Sequence, residues 1–341
     1  MRVYGSEINR PAGITRRELI AGTASAAAFG LLGGTIGCAP ASPQAPKIRI
    51  GYWPIAAGLP FYSAIELGYF REAGLDVEPL KFAGPQQVME AVLSGRADGT
   101  ANGTGSANIA IGEIAQPGTF KIFCSNPSNA ENVLDEVIVP VDSPVQVMAD
   151  LKGKRIGCGP GIQNVTLAKT ILERGGATDA TVVELPIGQH VAALAAGQID
   201  GAYTLEPTGT IGRLNGTTRV LEAGVIGKYV LGDPLAPWFG GSASLASDFI
   251  SGQPEAAKKF IAAYGKGVDF VRTKPVEARK FMQGYTAIEG PLTGEVPLAA
   301  YTMYNEFSPD DVAHFQKFFD LFSETGVFSS RLMVDSMLYK G

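Results

Sequence analysis

The chain has few of the residues that build disulfide scaffolds and metal centres. Its 341 residues include three Cys and two His, which argues against a disulfide-rich scaffold and against a zinc site made by the protein alone. Positive charge is also in short supply, because 28 Lys and Arg stand against 33 Asp and Glu, for a net charge of −5. No nucleic-acid partner is therefore expected, since phosphate contacts need a basic face.

Common catalytic motifs are absent from the sequence as well. It contains no Gly-x-Ser-x-Gly elbow, no phosphate-binding Gly-x-x-x-x-Gly-Lys-Ser/Thr and no His-Glu-x-x-His. We therefore expect no enzyme, no metal and no cofactor. What the chain does have is apolar residues, at 45%, which excludes a disordered or collagen-like protein. Its length suggests two domains or one large one.

The first 37 residues have the layout of an export signal. Basic residues come first, and an Ala-rich apolar run with five Gly follows over residues 19–37. Residues 15–19, Thr-Arg-Arg-Glu-Leu, resemble the twin-arginine export motif. The alternative is a single transmembrane anchor, but such a Gly-containing run inserts poorly into a bilayer.

Residues 36–38, Ile-Gly-Cys, resemble the lipobox of bacterial lipoproteins, in which the Cys becomes the lipidated first residue. Thr35 departs from that box, which usually carries Leu at this position. The sequence thus predicts cleavage before Cys38 and a lipid anchor on that residue, which would hold the protein at a membrane without spanning it. Residues 38–46 are predicted to be a short linker. The expected location is the periplasm or the outer face of the cytoplasmic membrane.

The body of the chain shows the same pattern twice. Strand-like and helix-like segments alternate from residue 47 and again from residue 154, which predicts an α/β protein with mainly parallel sheets. Residues 91–99 and 193–201 share the frame Ala-x-x-x-Gly-x-x-Asp-Gly. This repeat favours two similar lobes of about 100 residues each, although helix–Gly–strand joints look alike in any α/β protein. An oxidising compartment would permit a disulfide between Cys124 and Cys158, but they lie in strand-like runs of different lobes and are expected to be free and buried.

Several segments, in a fixed order, carry a family resemblance. Residues 51–54 (Gly-Tyr-Trp-Pro), 60–62 and 66–77 resemble the opening of solute-binding proteins of the nitrate/sulfonate/taurine class, which includes thiamine-pyrimidine-precursor-like proteins. Those proteins serve ABC importers. The likeness continues through residues 84, 93–98, 151–156, 196–202 and 206–207, and it covers most of residues 47–283.

The resemblance implies a type II periplasmic-binding fold, with two Rossmann-like lobes joined by two crossover hinge strands and a ligand in the cleft. Lobe one is then expected at residues 47–140 plus 242–341 and lobe two at 145–236. The hinges are expected near residues 140–143 and 237–241, where Gly and Pro suit a bend. The implied protein is a monomer that hands a small molecule to a permease and its ATPase.

The cleft can be sought at the carboxyl ends of the strands. Ligands of open α/β sheets lie there, at helix N-termini whose free N–H groups favour an anion. Three strand-to-helix turns fit this description, although each could equally be an ordinary turn without a ligand. Their candidate residues are Gly84, Gln86 and Gln87; Thr104 and Ser106; and Gly161, Gln163 and Asn164.

Aromatic and acidic residues add further candidates. Tyr52 and Trp53 could wall a ligand pocket or pack in the core, and the same holds for Trp238 near the second hinge. Glu206 could accept a hydrogen bond from a ligand N–H or hydroxyl, or stabilise a helix N-terminus.

The start of a helix in lobe two completes the set of candidates. Gln189 matches Gln87 in the repeat, and His190 beside it is either a ligand contact or a partly exposed structural residue. The anion-ready turns favour a small sulfonate or carboxylate as the solute. The aromatic residues and Glu206 favour the alternative, a pyrimidine or other aromatic heterocycle. An enzyme on the same fold is the alternative from a different functional class.

Overall fold

The structure is a computed structural model, and it describes residues 47–341. The predicted export signal, Cys38 and the linker lie outside these residues. Over the described range, we find no helix that is both long and apolar enough to cross a membrane.

Strands and helices alternate along most of this range. The strands are β1 (Lys47–Tyr52), β2 (Asp76–Lys81), β3 (Gly99–Gly105), β4 (Phe120–Ser125), β5 (Asp135–Pro140), β6 (Arg155–Cys158), β7 (Thr181–Glu184), β8 (Gly201–Leu205), β9 (Thr218–Ala223), β10 (Gly241–Ala246) and β11 (Thr302–Met303). The helices are α1 (Leu59–Glu66), α2 (Tyr69–Glu72), α3 (Pro85–Leu93), α4 (Ser106–Ala115), α5 (Ile162–Arg174), α6 (His190–Ala195), α7 (Thr208–Leu214), α8 (Ser247–Gly252), α9 (Pro254–Thr273), α10 (Pro275–Arg279), α11 (Pro309–Glu324) and α12 (Val334–Met337).

The strands form two sheets, which define the two predicted lobes. The first sheet has the order β11-β4-β10-β3-β1-β2, and the second has the order β7-β6-β8-β5-β9. In each sheet, three strands are parallel neighbours and one strand, β10 or β5, runs antiparallel beside them. The α/β class and the two-lobed periplasmic-binding fold predicted from the sequence are confirmed.

The position of β5 corrects one predicted boundary. The sequence predicts that lobe one continues to residue 140, but β5 pairs with β8 and β9 in the second sheet. The pattern of a buried strand indicates that it is a strand but not which neighbours it pairs with. Crossover one is therefore residues 126–134, rather than a hinge near 140–143, and crossover two is residues 224–240.

The two crossovers run side by side as a short antiparallel ribbon. Ser128 and Trp238 exchange backbone hydrogen bonds of 3.2 and 3.0 Å, and Asn126 N–H donates to Gly241 O at 3.0 Å. Each crossover thus limits the movement of the other.

The internal repeat occupies equivalent positions in the two lobes. Gly95 and Gly197 end α3 and α6 with left-handed φ angles of 68° and 64°, a conformation that favours glycine. The aspartates that follow, Asp98 and Asp200, each accept a backbone hydrogen bond from the first part of a neighbouring strand. Cys124 and Cys158 lie in different sheets, and both are free and buried, as predicted.

Candidate functional site

Three helices begin where the lobes meet. Gly84, just before α3, lies so close to lobe two that a Cβ added to it would be 2.9 Å from Cγ of Pro160. Gly161, just before α5, has a φ of 100°, and a Cβ there would be 3.5 Å from Cβ of Gln86. The same Cβ would be 3.6 Å from Nδ2 of Asn108, in the first turn of α4. The N-terminal ends of α3, α4 and α5 therefore converge on one place.

These three helix ends lack the side-chain caps that usually satisfy the first N–H groups. Each follows a glycine, and none has a capping hydrogen bond from its N-cap side chain. Glycine at these positions leaves room for the close approach described above. In the first turn of α4, Ser106 N–H and Ala107 N–H donate to Gly240 O and to Gln163 Oε1. The dipoles of the three helices still add up at this place, so the junction is favourable for negative charge. One carboxylate already uses it, since Gly161 N–H donates to Oε2 of Glu184 at 3.0 Å.

Gln163 on α5 bridges the two lobes. Its Oε1 accepts a 2.8 Å hydrogen bond from Ala107 N–H at the start of α4, and its Nε2 donates to Gly240 O at 2.8 Å. The side chain is buried. A second link joins the lobes through the backbone, where Ala56 N–H donates to Glu206 O at 2.9 Å. The lobes are thus closed on each other.

Asn108 is the residue at the junction that sequence reasoning missed. It is fully buried, yet neither its Nδ2 nor its Oδ1 has a hydrogen-bond partner. Buried amide groups without partners are costly, so such a side chain points to a guest molecule. The sequence offered one signal for Asn108. It lies two residues after Ser106, in a strand-to-helix turn that was already a candidate ligand site.

The other polar candidates in these turns bond to the protein itself. Thr104 Oγ1 donates to Ala101 O at 2.9 Å, and Ser106 Oγ shares a 2.9 Å hydrogen bond with Ser242 Oγ. Asn164 Nδ2 donates to Pro160 O at 2.9 Å. These three side chains shape the turns around the junction.

Three glutamine candidates lie on the surface of the protein. Gln86 donates from Nε2 to Oε1 of Glu90 at 3.0 Å, and Gln87 accepts from Ala83 N–H at 3.1 Å. Gln189 is exposed just before α6. Gln86 also lies near the opposite lobe, since a Cβ added to Gly161 would be 3.5 Å from its Cβ.

The aromatic candidates are buried in the lobes and at the hinge. Tyr52 packs edge-on against Tyr62, with ring centroids 5.6 Å apart. The indole N–H of Trp53 donates to Gly103 O at 2.7 Å, and that of Trp238 donates to Oδ1 of Asp135 at 2.8 Å. The indole N–H groups of Trp53 and Trp238 are therefore engaged within the protein.

His190 is fully buried, which corrects the expectation of a partly exposed side chain. Nδ1 lies 3.0 Å from Oγ1 of Thr204, and Nε2 lies 3.2 Å from Leu185 O. Burial lowers the pKa of His190 to about 4, so the ring is neutral at pH 7. It holds the start of α6 against β8.

Glu206 caps α7 with its own side chain. Its carboxylate accepts hydrogen bonds from Thr210 N–H at 3.2 Å and from Thr210 Oγ1 at 3.0 Å. Burial raises the pKa of Glu206 to about 7. Of the two roles considered for Glu206 from the sequence, the structure therefore shows the stabilisation of a helix N-terminus. Within residues 47–341, no group of three or more His, Cys, Asp or Glu side chains is placed to hold a metal ion.

Comparisons with known proteins agree with this architecture. Residues 57–278 match the family described as NMT1/THI5 like. A protein of Brucella abortus (strain 2308), named only provisionally as a binding protein, is 28% identical over 236 residues, which are 68% of this chain and 69% of the relative.

Two solved structures share the fold. The alkanesulfonate-binding protein SsuA from Xanthomonas axonopodis pv. citri, solved with MOPS bound, superposes with a TM-score of 0.69 at 19% identity, over 87% of this chain and 99% of that one. The desulfurization enzyme DSZB superposes with a TM-score of 0.61 at 13% identity, over 86% and 96%. The fold is thus found in both a binding protein and an enzyme.

Proposed function

Since the chain belongs to the NMT1/THI5-like family, we propose that it is an exported solute-binding protein of an ABC importer. It captures a small organic acid, such as a sulfonate or carboxylate, between its lobes and delivers it to the permease. The observation that carries this proposal is the convergence of three uncapped helix N-termini beside Asn108, a buried amide without partners. An anionic group would receive N–H donors there from both lobes.

Binding works through closure of the lobes. The acid first meets one lobe and then the other, and it favours the closed state because only there do both lobes contact it. Crossovers one and two, which are hydrogen-bonded to each other, form the hinge. The proposed contacts are Gly84, Gln86 and Asn108 on lobe one and Gly161 and Asn164 on lobe two. The protein acts as a monomer, with no metal or cofactor.

Export and anchoring follow from the N-terminal sequence. The twin-arginine-like motif and the Cys38 lipobox support an exported protein that is held at the outer face of the cytoplasmic membrane by a lipid on Cys38. Such an anchor would keep the lobes close to a permease in the same membrane.

Thermal unfolding with and without solutes tests the proposal. Ethanesulfonate or benzoate at 100 times its dissociation constant should stabilise the protein by about 2.7 kcal/mol. The variant Asn108→Leu should unfold at least as late as the wild type without solute, because it removes an unpartnered buried amide, and should lose most of the shift. Absence of a shift with sulfonates, carboxylates and pyrimidines would contradict the proposal.

Thermal unfolding separates one alternative from the proposal, and analysis of the solute after incubation separates the other. A pyrimidine-binding protein would respond to pyrimidines only, but the carboxylate of Glu206, which supported that idea, is occupied by Thr210. An enzyme remains the second candidate because DSZB has this fold. Recovery of the stabilising solute unchanged after long incubation supports the receptor, whereas a product such as released sulfite supports the enzyme.

A further inference from the structure

The carboxamide of Gln163 lies inside the proposed binding site. Its Oε1 accepts a hydrogen bond from Ala107 N–H in the first turn of α4, where the N-cap residue itself supplies no side-chain acceptor. Its Nε2 donates to Gly240 O, which also accepts from Ser106 N–H at 2.9 Å. The side chain is 4% exposed, so water does not compete for these bonds.

This arrangement places an oxygen of the protein where an oxygen of the solute is expected. The N–H of Ala107 has one hydrogen, and a bond given to Gln163 is withheld from an entering anion. Asn108, the next residue, is buried with both amide atoms unpartnered. Gln163 thus satisfies only some of the polar groups at this place, because Nδ2 and Oδ1 of Asn108 have no partner.

We propose that the side chain of Gln163 occupies the binding site when no solute is present. It holds the unliganded protein closed, and the solute must displace it in order to bind. The proposal rests on the proposed function and adds a step to it, the exchange of the carboxamide for the solute at the start of α4. We call the protein latched while the Gln163 side chain holds these hydrogen bonds, and in this form it does not accept solute. The apparent dissociation constant is therefore the intrinsic constant divided by the unlatched fraction of the protein.

Hydrogen exchange of the full-length protein without solute tests the latch directly. In Gln163→Ala, the amide of Ala107 loses its acceptor, and a peptide containing it should exchange at least tenfold faster than in the wild type. The control Gln198→Ala removes an exposed glutamine from the same lobe and should leave that peptide unchanged. Unchanged exchange at Ala107 in folded Gln163→Ala would overturn the latch.

Titration calorimetry with ethanesulfonate tests the displacement. Gln163→Ala should bind it about tenfold more tightly than the wild type, because no side chain has to leave. Equal or weaker binding by the variant would refute displacement and make Gln163 a bystander or a direct solute contact. If no form binds ethanesulfonate, the proposed sulfonate function fails, while hydrogen exchange still decides whether the latch exists.

A second variant covers the case in which Gln163→Ala does not fold. Gln163→Met fills a similar volume without a hydrogen-bonding group. It should show the same faster exchange at Ala107, and normal protection of that amide in this variant would refute the latch equally well.

Discussion

Glu136 and Glu206 are two buried carboxyl groups that lie beside the start of α7. Glu136 Oε1 has no hydrogen-bond partner, and a Cβ added to Gly209 would lie 1.5 Å from it. Glycine at position 209 is therefore required by the carboxyl group against it. Burial, and then the neighbouring Glu206, raise the pKa of Glu136 well above its ordinary value.

The raised pKa values predict that stability falls as pH rises. Between about pH 4.5, where a free Glu titrates, and the raised folded pKa, the folded state holds protons that the unfolded state releases. The contribution of these two carboxyl groups to the free energy of unfolding should therefore fall from pH 5 to pH 8, whereas His190, whose pKa is lowered, contributes in the opposite direction. Glu136→Gln should reduce this fall, because the variant has no carboxyl group to titrate at this position; urea unfolding at both pH values measures it. The control Glu131→Gln, at an exposed position, should show the same pH dependence of the free energy of unfolding as the wild type. If Glu136→Gln also shows the wild-type pH dependence, Glu136 does not have a raised pKa in the folded protein.

The sequence could predict which residue types lie at the site better than it could predict their hydrogen-bond partners. The sequence identified Glu206 as a residue that could stabilise a helix N-terminus, but its bond to Thr210 depends on how α7 begins after Pro207. Asn108 went unnoticed because its lack of partners is a property of two lobes in contact. The local sequence pattern determines neither the hydrogen bond of Glu206 nor the absence of partners at Asn108.

At the scale of elements, the two helix–Gly–strand joints of the repeat are closed by the same ion pair. Asp98 accepts from the backbone N–H and guanidinium of Arg49, and Asp200 accepts in the same way from Arg155. The repeated Asp-Gly was visible in the sequence. The arginines were not, because they lie 49 and 45 residues earlier in the chain.

The two joints should differ in strength. The side chains of Arg49 and Asp98 are 37% and 17% exposed, whereas those of Arg155 and Asp200 are 48% and 35% exposed. Ion pairs weaken with exposure, so Asp98→Asn should lower the free energy of unfolding by about 2 kcal/mol and Asp200→Asn by about 1 kcal/mol or less. Urea unfolding of each variant measures this. An equal or larger loss in Asp200→Asn would show that burial does not set the strength of the pair.

At the scale of the whole molecule, the hinge depends on strands that are distant in sequence. Alternation of strands and helices predicted both sheets, but it could not predict that β5 inserts between β8 and β9. Asp135, the first residue of β5, accepts hydrogen bonds from Ile226 N–H at 2.8 Å and from Trp238 Nε1 at 2.8 Å. One carboxylate therefore fastens crossover two to lobe two.

Trp238 also connects this fastening to the C-terminal helices. Its ring packs against Phe318 of α11, with centroids 5.6 Å apart. Lys317, the neighbouring residue on α11, donates to Leu231 O at 2.5 Å. Crossover two is thus held from the side of lobe two by Asp135 and from the side of lobe one by α11.

Trp238→Phe should loosen this fastening in a pH-dependent way. The variant keeps an aromatic ring against Phe318 but removes a donor from the buried carboxylate of Asp135, which should cost about 2 kcal/mol. Burial already raises the pKa of Asp135 to about 6, and loss of the donor should raise it further. The loss of stability should therefore be larger at pH 8, where the carboxyl group is charged, than at pH 5, where it is largely neutral.

Trp53→Phe is the matched control, since it removes an indole hydrogen bond of 2.7 Å to a neutral carbonyl, that of Gly103. Its effect on the free energy of unfolding should be about 1 kcal/mol and the same at both pH values. If the two variants show the same pH dependence, the carboxylate of Asp135 does not fasten the hinge. If only Trp238→Phe responds to pH, and residues 126–134 exchange amide hydrogens faster in it, the link between the lobes runs through this one buried charge.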